Sequence, residues 1–157
     1  GIGYDIELSK KIEERTGIKA LTTATAVLNA LKTLGIKVVS IATPYIEELN
    51  IEEKKFLEMN GFKVAKIKGL SIEVNTDIGK QPPEVAYRLA KEVNTPESQG
   101  IFISCTNFRT IEIIDPLEKD LGKPVISSNQ ATFWNALKEL GIKERIEGYG
   151  ILLRDYI

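Results

Sequence analysis

The chain has 157 residues, 43% of them hydrophobic and 27% charged, which is enough apolar material for one domain with a real core. Its 21 basic and 22 acidic residues leave a formal net charge of -1 and no electrostatic footprint for nucleic acid or an anionic membrane, and its apolar runs fall well short of the roughly 20 residues that span a bilayer. Histidine is absent, which excludes histidine-activated nucleophiles, proton shuttles and metal sites within the chain, and the single cysteine admits no internal disulfide.

The opening residues carry no apolar signal region, so a reducing cytoplasm is the expected compartment. Gly1-Ile2-Gly3 leads into a helix with no strand before it, and further sequence is expected upstream. Asp5 is placed to cap a helix running to about Arg15 and stopped by Gly17; Thr23 caps a second, in which Val27, Ala30, Leu31 and Leu34 follow the i, i+3, i+4, i+7 pattern up to Gly35. Lys37 to Ala42 is a β-branched run suited to a strand buried on both faces, and Thr43-Pro44-Tyr45 ends it. Asn50 with Glu53 reads as a capping box for a helix ending at Gly61, and Phe62 to Ile67 reads as the next strand.

Gly69 to Lys80 is the longest irregular segment, leading to Pro82-Pro83 and a helix through about Val93. After a polar turn, Gly100 to Ser104 forms a third strand that runs into Cys105-Thr106-Asn107. Helical signals follow, interrupted by Pro116; Pro124 to Ser127 is a fourth strand, and Ser128-Asn129-Gln130 opens a helix with Phe133, Ala136, Leu137 and Leu140 on one face. Strands alternating with amphipathic helices imply right-handed βαβ units, so the fold class is α/β, a parallel sheet flanked by helices. The octapeptide from Ala30 to Lys37 nearly recurs from Ala136 to Lys143, which reads as one helix-ending solution used twice.

In parallel α/β sheets ligands bind beyond the carboxyl ends of the strands, and three polar clusters fall there: Thr43-Pro44-Tyr45, Ser104 to Asn107, and Ser127 to Gln130. Cys105 at such an end, facing a helix N-terminus, is a candidate acid, base or nucleophile, and equally a buried cysteine acting as a small hydrophobe. Tyr45 is either a partly buried ring with a surface hydroxyl or a donor to a substrate oxygen. Asn75 either shapes its loop or presents its amide to a ligand, Thr22-Thr23 and Ser128-Asn129 are helix caps first, and Arg109 pairs with a carboxylate or with a surface acid. Gly148-Tyr149-Gly150 lacks the third glycine and acidic partner of a dinucleotide fingerprint.

Gly3-Tyr4-Asp5, Thr22-Thr23-Ala24, Ala42 to Tyr45, the Asn75 loop with Ile78-Gly79, Ile103 to Thr110, and Gly122 to Thr132 closely resemble the maleate cis-trans isomerases. Those enzymes belong to the wider aspartate/glutamate racemase and arylmalonate decarboxylase superfamily, and the resemblance runs over almost the whole chain in the right order. It implies a two-lobed, pseudo-symmetric racemase-like fold, with residues 1–24 the end of a first lobe, 25–135 a second lobe carrying Cys105, and 136–157 a return to the first. It implies a cofactor-independent, metal-free reaction in which a cysteine from each lobe flanks a small dicarboxylate, one adding to the double bond of maleate and the other managing the proton. Cys105 matches the second-lobe cysteine; the partner lies on an upstream segment that this chain does not contain.

The same resemblance gives Tyr45 a catalytic place beside Cys105, assigns substrate carboxylate oxygens to Tyr45 and Asn75, and lets Thr106 and Asn107 complete the anion site. A homo-oligomer is the expected assembly. The rival readings are an arylmalonate-decarboxylase-like or racemase-like enzyme using Cys105 as proton donor or acceptor, and a catalytically silent dicarboxylate-binding domain.

Overall fold

The structure is a computed structural model describing residues 3–157; Gly1 and Ile2, which open the Gly-Ile-Gly stretch, lie outside them. Four strands alternate with helices: α1 (Tyr4–Thr16), α2 (Thr23–Thr33), β1 (Val38–Thr43), α3 (Glu47–Met59), β2 (Lys63–Gly69), α4 (Asn75–Gly79), α5 (Pro83–Val93), β3 (Gly100–Ile103), α6 (Ile114–Leu121), β4 (Val125–Ser127), α7 (Ser128–Glu139) and α8 (Ile151–Asp155). The sheet is parallel, in the order β2-β1-β3-β4. β1, buried along nearly its whole length, is central; β2 is an edge whose exposed Lys63, Lys66 and Lys68 keep other chains from pairing with it. From β1 the chain winds outward to β2, then crosses back to β3 on the other side. The sheet therefore has its topological switch point between β1 and β3, where their carboxyl ends diverge.

The apolar side chains form two clusters, one on each face. One joins Leu31 of α2, Ile41 of β1, Leu57 of α3 and Trp134 of α7. The other joins Leu89 of α5, Ile101 of β3 and Leu117 of α6. α2 and α7 lie side by side, linked by hydrogen bonds from Asn29 to Asn135 at 3.0 Å and from Thr132 to Thr23 at 3.2 Å. Each begins on a hydroxyl cap, Thr22 or Ser127, and each is followed by a glycine with positive φ, Gly35 or Gly141. The near-repeated octapeptides are thus the last turns of two neighbouring helices with the glycine-containing connections that follow them.

Several boundaries differ from those expected of the sequence. Asp5 does not cap α1, which starts on Gly3; its carboxylate accepts the Thr25 hydroxyl at 2.7 Å and ties α1 to α2. Thr22, not Thr23, caps α2. Helix α3 begins at Glu47, before the proposed capping box, because Asn50 is drawn inward: it is 1% exposed and accepts the buried Thr43 hydroxyl at 2.5 Å. Pro116 sits in the first turn of α6, where its missing N–H costs nothing, so it does not interrupt the helix. In α7 the inward face is Ala131, Trp134 and Asn135, while Phe133 and Leu140 are exposed. The long segment after β2 contains α4, and α8 was not anticipated. Among the described residues, no helix is long and apolar enough to cross a membrane. Helix α1 buries none of its residues, and its Tyr4, Ile6 and Ile12 stand exposed.

Candidate active site

The site lies at the switch point. β3 ends at Ile103, and Ser104 prolongs the ladder by one bond, donating its N–H to the Ala42 carbonyl at 2.9 Å. Cys105 then turns into the left-handed region with a φ of +92°; Ser71 is the other non-glycine residue with positive φ among the described residues. That conformation costs a side-chain-bearing residue about 1–3 kcal/mol and persists only where the surroundings hold it. Here the Cys105 N–H donates to the Ser128 hydroxyl at 3.1 Å, at the first turn of α7, and the Asn107 N–H points at the Cys105 sulfur at 3.4 Å. Both contacts hold the thiol at a strand end beside a helix N-terminus, as the sequence led us to expect.

Cys105 is 8% exposed and lines a cavity of about 240 Å³. Its polar wall carries Tyr45, Glu53, Ser104, Thr106, Thr23 and Ser128; its apolar wall is Val27, Phe56, Leu57 and Phe102. Tyr45 lines the same cavity as Cys105 and Ser104. Burial first, and then the neighbouring Cys105, push the Tyr45 phenol well above its ordinary range, so it stays neutral and available as a donor. Burial also pushes the Glu53 carboxyl up to about 7, against the opposing pull of the neighbouring Ser104 hydroxyl. Its Oε2 is sealed from solvent and has no partner.

The other expected residues are placed differently. Thr106 lines both this cavity and an open groove shared with Asn107, Arg109 and Asn129. Asn75 does not line the cavity: it starts α4 at the surface, and its carbonyl accepts the Asn107 side-chain amide at 2.7 Å. The Asn107 side chain is thereby committed to the Asn75 backbone, and Gly79 leaves room for it, since a Cβ there would lie 3.0 Å from the Asn107 Oδ1. Asn75 and Asn107 thus form a bracket beside the thiol. Arg109 pairs with Glu112 at 3.1 Å on the surface. Ser127 is the cap of α7, which leaves the Ser128 hydroxyl free to hold the Cys105 backbone.

Comparison with known proteins places this geometry. The family model described as arylmalonate decarboxylase matches residues 1–153. The chain belongs to the arylmalonate decarboxylase family. Within that family it is 32% identical to the arylmalonate decarboxylase of Bordetella bronchiseptica over 97% of this chain and 65% of the relative. It is 30% identical to the maleate isomerase of Alcaligenes faecalis over 90% of this chain and 56% of the relative. An unliganded arylmalonate decarboxylase structure superposes with a TM-score of 0.88 at 31% identity, covering 98% of this chain and 68% of the other. The chain therefore spans a little over half to about two thirds of the length of these family members.

Sequence reasoning missed Glu53, and it named Ser104 only as a member of a polar cluster at a strand end. A signal for Glu53 was present: Glu53, Phe56 and Leu57 stand at i, i+3 and i+4, so a carboxyl shares the inward stripe of α3. The approach of the Tyr45 segment and Asn50 to β2 rests on Gly69. A Cβ at Gly69 would fall 2.2 Å from the Tyr45 carbonyl oxygen and 2.5 Å from the Asn50 Nδ2. Gly69→Ala is expected to cost about 1–3 kcal/mol in a denaturant melt and to displace the Tyr45 segment. An unchanged midpoint would show that the close approach is not needed.

Proposed function

We propose that the intact protein catalyses cofactor-independent cis-trans isomerisation of maleate to fumarate by thiol chemistry. The observation that carries the reading is the Cys105 thiol, held by a left-handed backbone at the switch point in a small hydroxyl-walled cavity, with the neutral Tyr45 phenol beside it. A cis double bond cannot rotate until it loses π character, and a thiolate removes that character by conjugate addition.

In this reading the partner cysteine, on a first lobe outside this chain, adds as thiolate to one olefinic carbon. The Cys105 thiol gives its proton to the other, leaving a freely rotating single bond. After rotation Cys105 takes the proton back, the C–S bond breaks, and fumarate leaves; atoms and charge balance over the cycle. Tyr45 donates to a carboxylate oxygen of the substrate. Asn75, Thr106 and Asn107 hold the second carboxylate from the rim, Asn75 and Asn107 as the bracket they form. The residue blocks 1–24 and 136–157 would belong to the first lobe, and the exposed apolar face of α1 is consistent with a partner surface there.

The test is direct: the intact protein, without added cofactor, is expected to replace the olefinic proton signal of maleate by that of fumarate in a time-resolved NMR spectrum. A second reading, decarboxylation of an arylmalonate with Cys105 protonating the resulting enediolate, is favoured by the Bordetella relative and the Val27, Phe56, Leu57 and Phe102 wall. Carbon dioxide release from phenylmalonate, with maleate untouched, would put it in place of the first.

A further inference from the structure

The isomerisation scheme leaves Glu53 unused. It is a carboxyl on the inward stripe of α3, facing the same cavity as the thiol, with one oxygen sealed from solvent and without a partner. Ser104 lines the same cavity as it and Tyr45, a hydroxyl near enough to influence both. A hydroxyl has one hydrogen to give. Ser104 can donate to the Tyr45 oxygen or to the Glu53 carboxylate, and not to both at once.

We propose that Glu53 is a positioning residue that selects, through the single hydrogen of Ser104, the direction of the hydrogen-bond chain reaching Tyr45 and the Cys105 thiol. When Glu53 carries a proton it donates to the Ser104 oxygen, Ser104 donates to Tyr45, and Tyr45 donates to the sulfur. Every donor then points toward Cys105, and aligned hydrogen bonds reinforce one another in a low-dielectric site. When Glu53 is ionised it accepts only, so it takes the Ser104 hydrogen, and the Tyr45 oxygen loses its donor. The carboxylate charge also opposes negative charge on the sulfur and on a dicarboxylate substrate. Because burial holds Glu53 near 7, the selection turns over close to neutral pH. The titratable groups facing Glu53 are Tyr45, from the β1–α3 connection, and Cys105, after β3; the hydroxyls of Thr23 on α2 and Ser128 on α7 complete the polar wall. Among the described residues no lysine, arginine or second carboxyl lines the cavity.

The inference rests on the proposed function only in taking Cys105 as the group served, so its test is independent of turnover. Iodoacetamide modification of Cys105 in the intact protein, followed at the Cys105 peptide by mass spectrometry, is compared between wild type and Glu53→Gln. The glutamine stands in for the neutral acid. The ratio of the Glu53→Gln rate to the wild-type rate is expected to climb about three- to tenfold from about pH 5.5 to about pH 8.5. The midpoint of that climb is expected near pH 7. In a Ser104→Ala background the climb should shrink by at least about half, to what the bare charge supplies. A ratio flat across pH overturns the proposal, since a merely structural glutamate would change the rate equally everywhere; an undiminished climb without the Ser104 hydroxyl overturns the route through Ser104. If the ratio climbs but maleate is not converted, the isomerase reading fails and the positioning role stands. If the ratio stays flat while maleate is converted, the positioning role fails and the isomerase reading stands.

Discussion

Replacing Cys105 by serine in the intact protein is expected to lower turnover by about 10²–10⁴-fold, the range carried by a positioned proton-transfer group. Serine preserves size and can adopt the same backbone, so the Cys105 N–H bond to Ser128 survives and the cavity keeps its shape. What changes is the acid itself, since an aliphatic hydroxyl is a far weaker proton donor than a thiol and cannot act as a soft nucleophile. Substrate affinity, which the proposed function assigns to Tyr45 and the Asn75–Asn107 bracket, should change little. Steady-state kinetics on the purified variant, with a melting curve to verify folding, decides the matter. A variant that turns over near the parental rate would remove the thiol from the mechanism.

The second large effect is on stability. The Glu53 carboxyl is raised in the folded state from 4.5 to about 7, so the folded protein binds its proton more tightly than the unfolded chain does. An acid raised in this way favours folding at low pH: its contribution is full below about 4.5, declines as pH rises toward about 7, and is lost above that. The span corresponds to about 3 kcal/mol. Wild type should therefore lose stability relative to Glu53→Gln between about pH 5 and about pH 8. Urea titrations of both proteins at the two pH values read the difference; an equal gap at both would mean that Glu53 is as solvated folded as unfolded.

The α/β class and the strand positions were legible because they rest on local signals. β1 and β3 are short runs rich in β-branched or aromatic residues, and the glycines at 17, 35 and 141 end helices by their left-handed φ. The place of Cys105 was legible for the same reason, since a polar cluster after a buried strand marks a carboxyl end, while the choice between reactive thiol and small hydrophobe came from the family resemblance. The errors came where a tertiary contact outweighed a local rule. Asn50 looked like a helix cap because nothing in the sequence reveals the buried Thr43 hydroxyl that needs its oxygen. Phe133 fitted one helical stripe of α7, yet Trp134 and Asn135 on the next stripe face α2 and win the interior. Glu53 was misread as one half of a capping box because a carboxyl on an apolar stripe has meaning only once its neighbours are known.

The backbone at Cys105 sets two kinds of fitness against each other. At a φ of +92° glycine is the residue that the chain conformation favours, and any side chain there is carried at a cost. Random substitution screened for robustness alone would drift toward glycine at this position and erase the thiol without disturbing the fold. A library built to raise the heat tolerance of this protein must therefore hold position 105 fixed, because there the sequence that survives heating best is the one with no chemistry left.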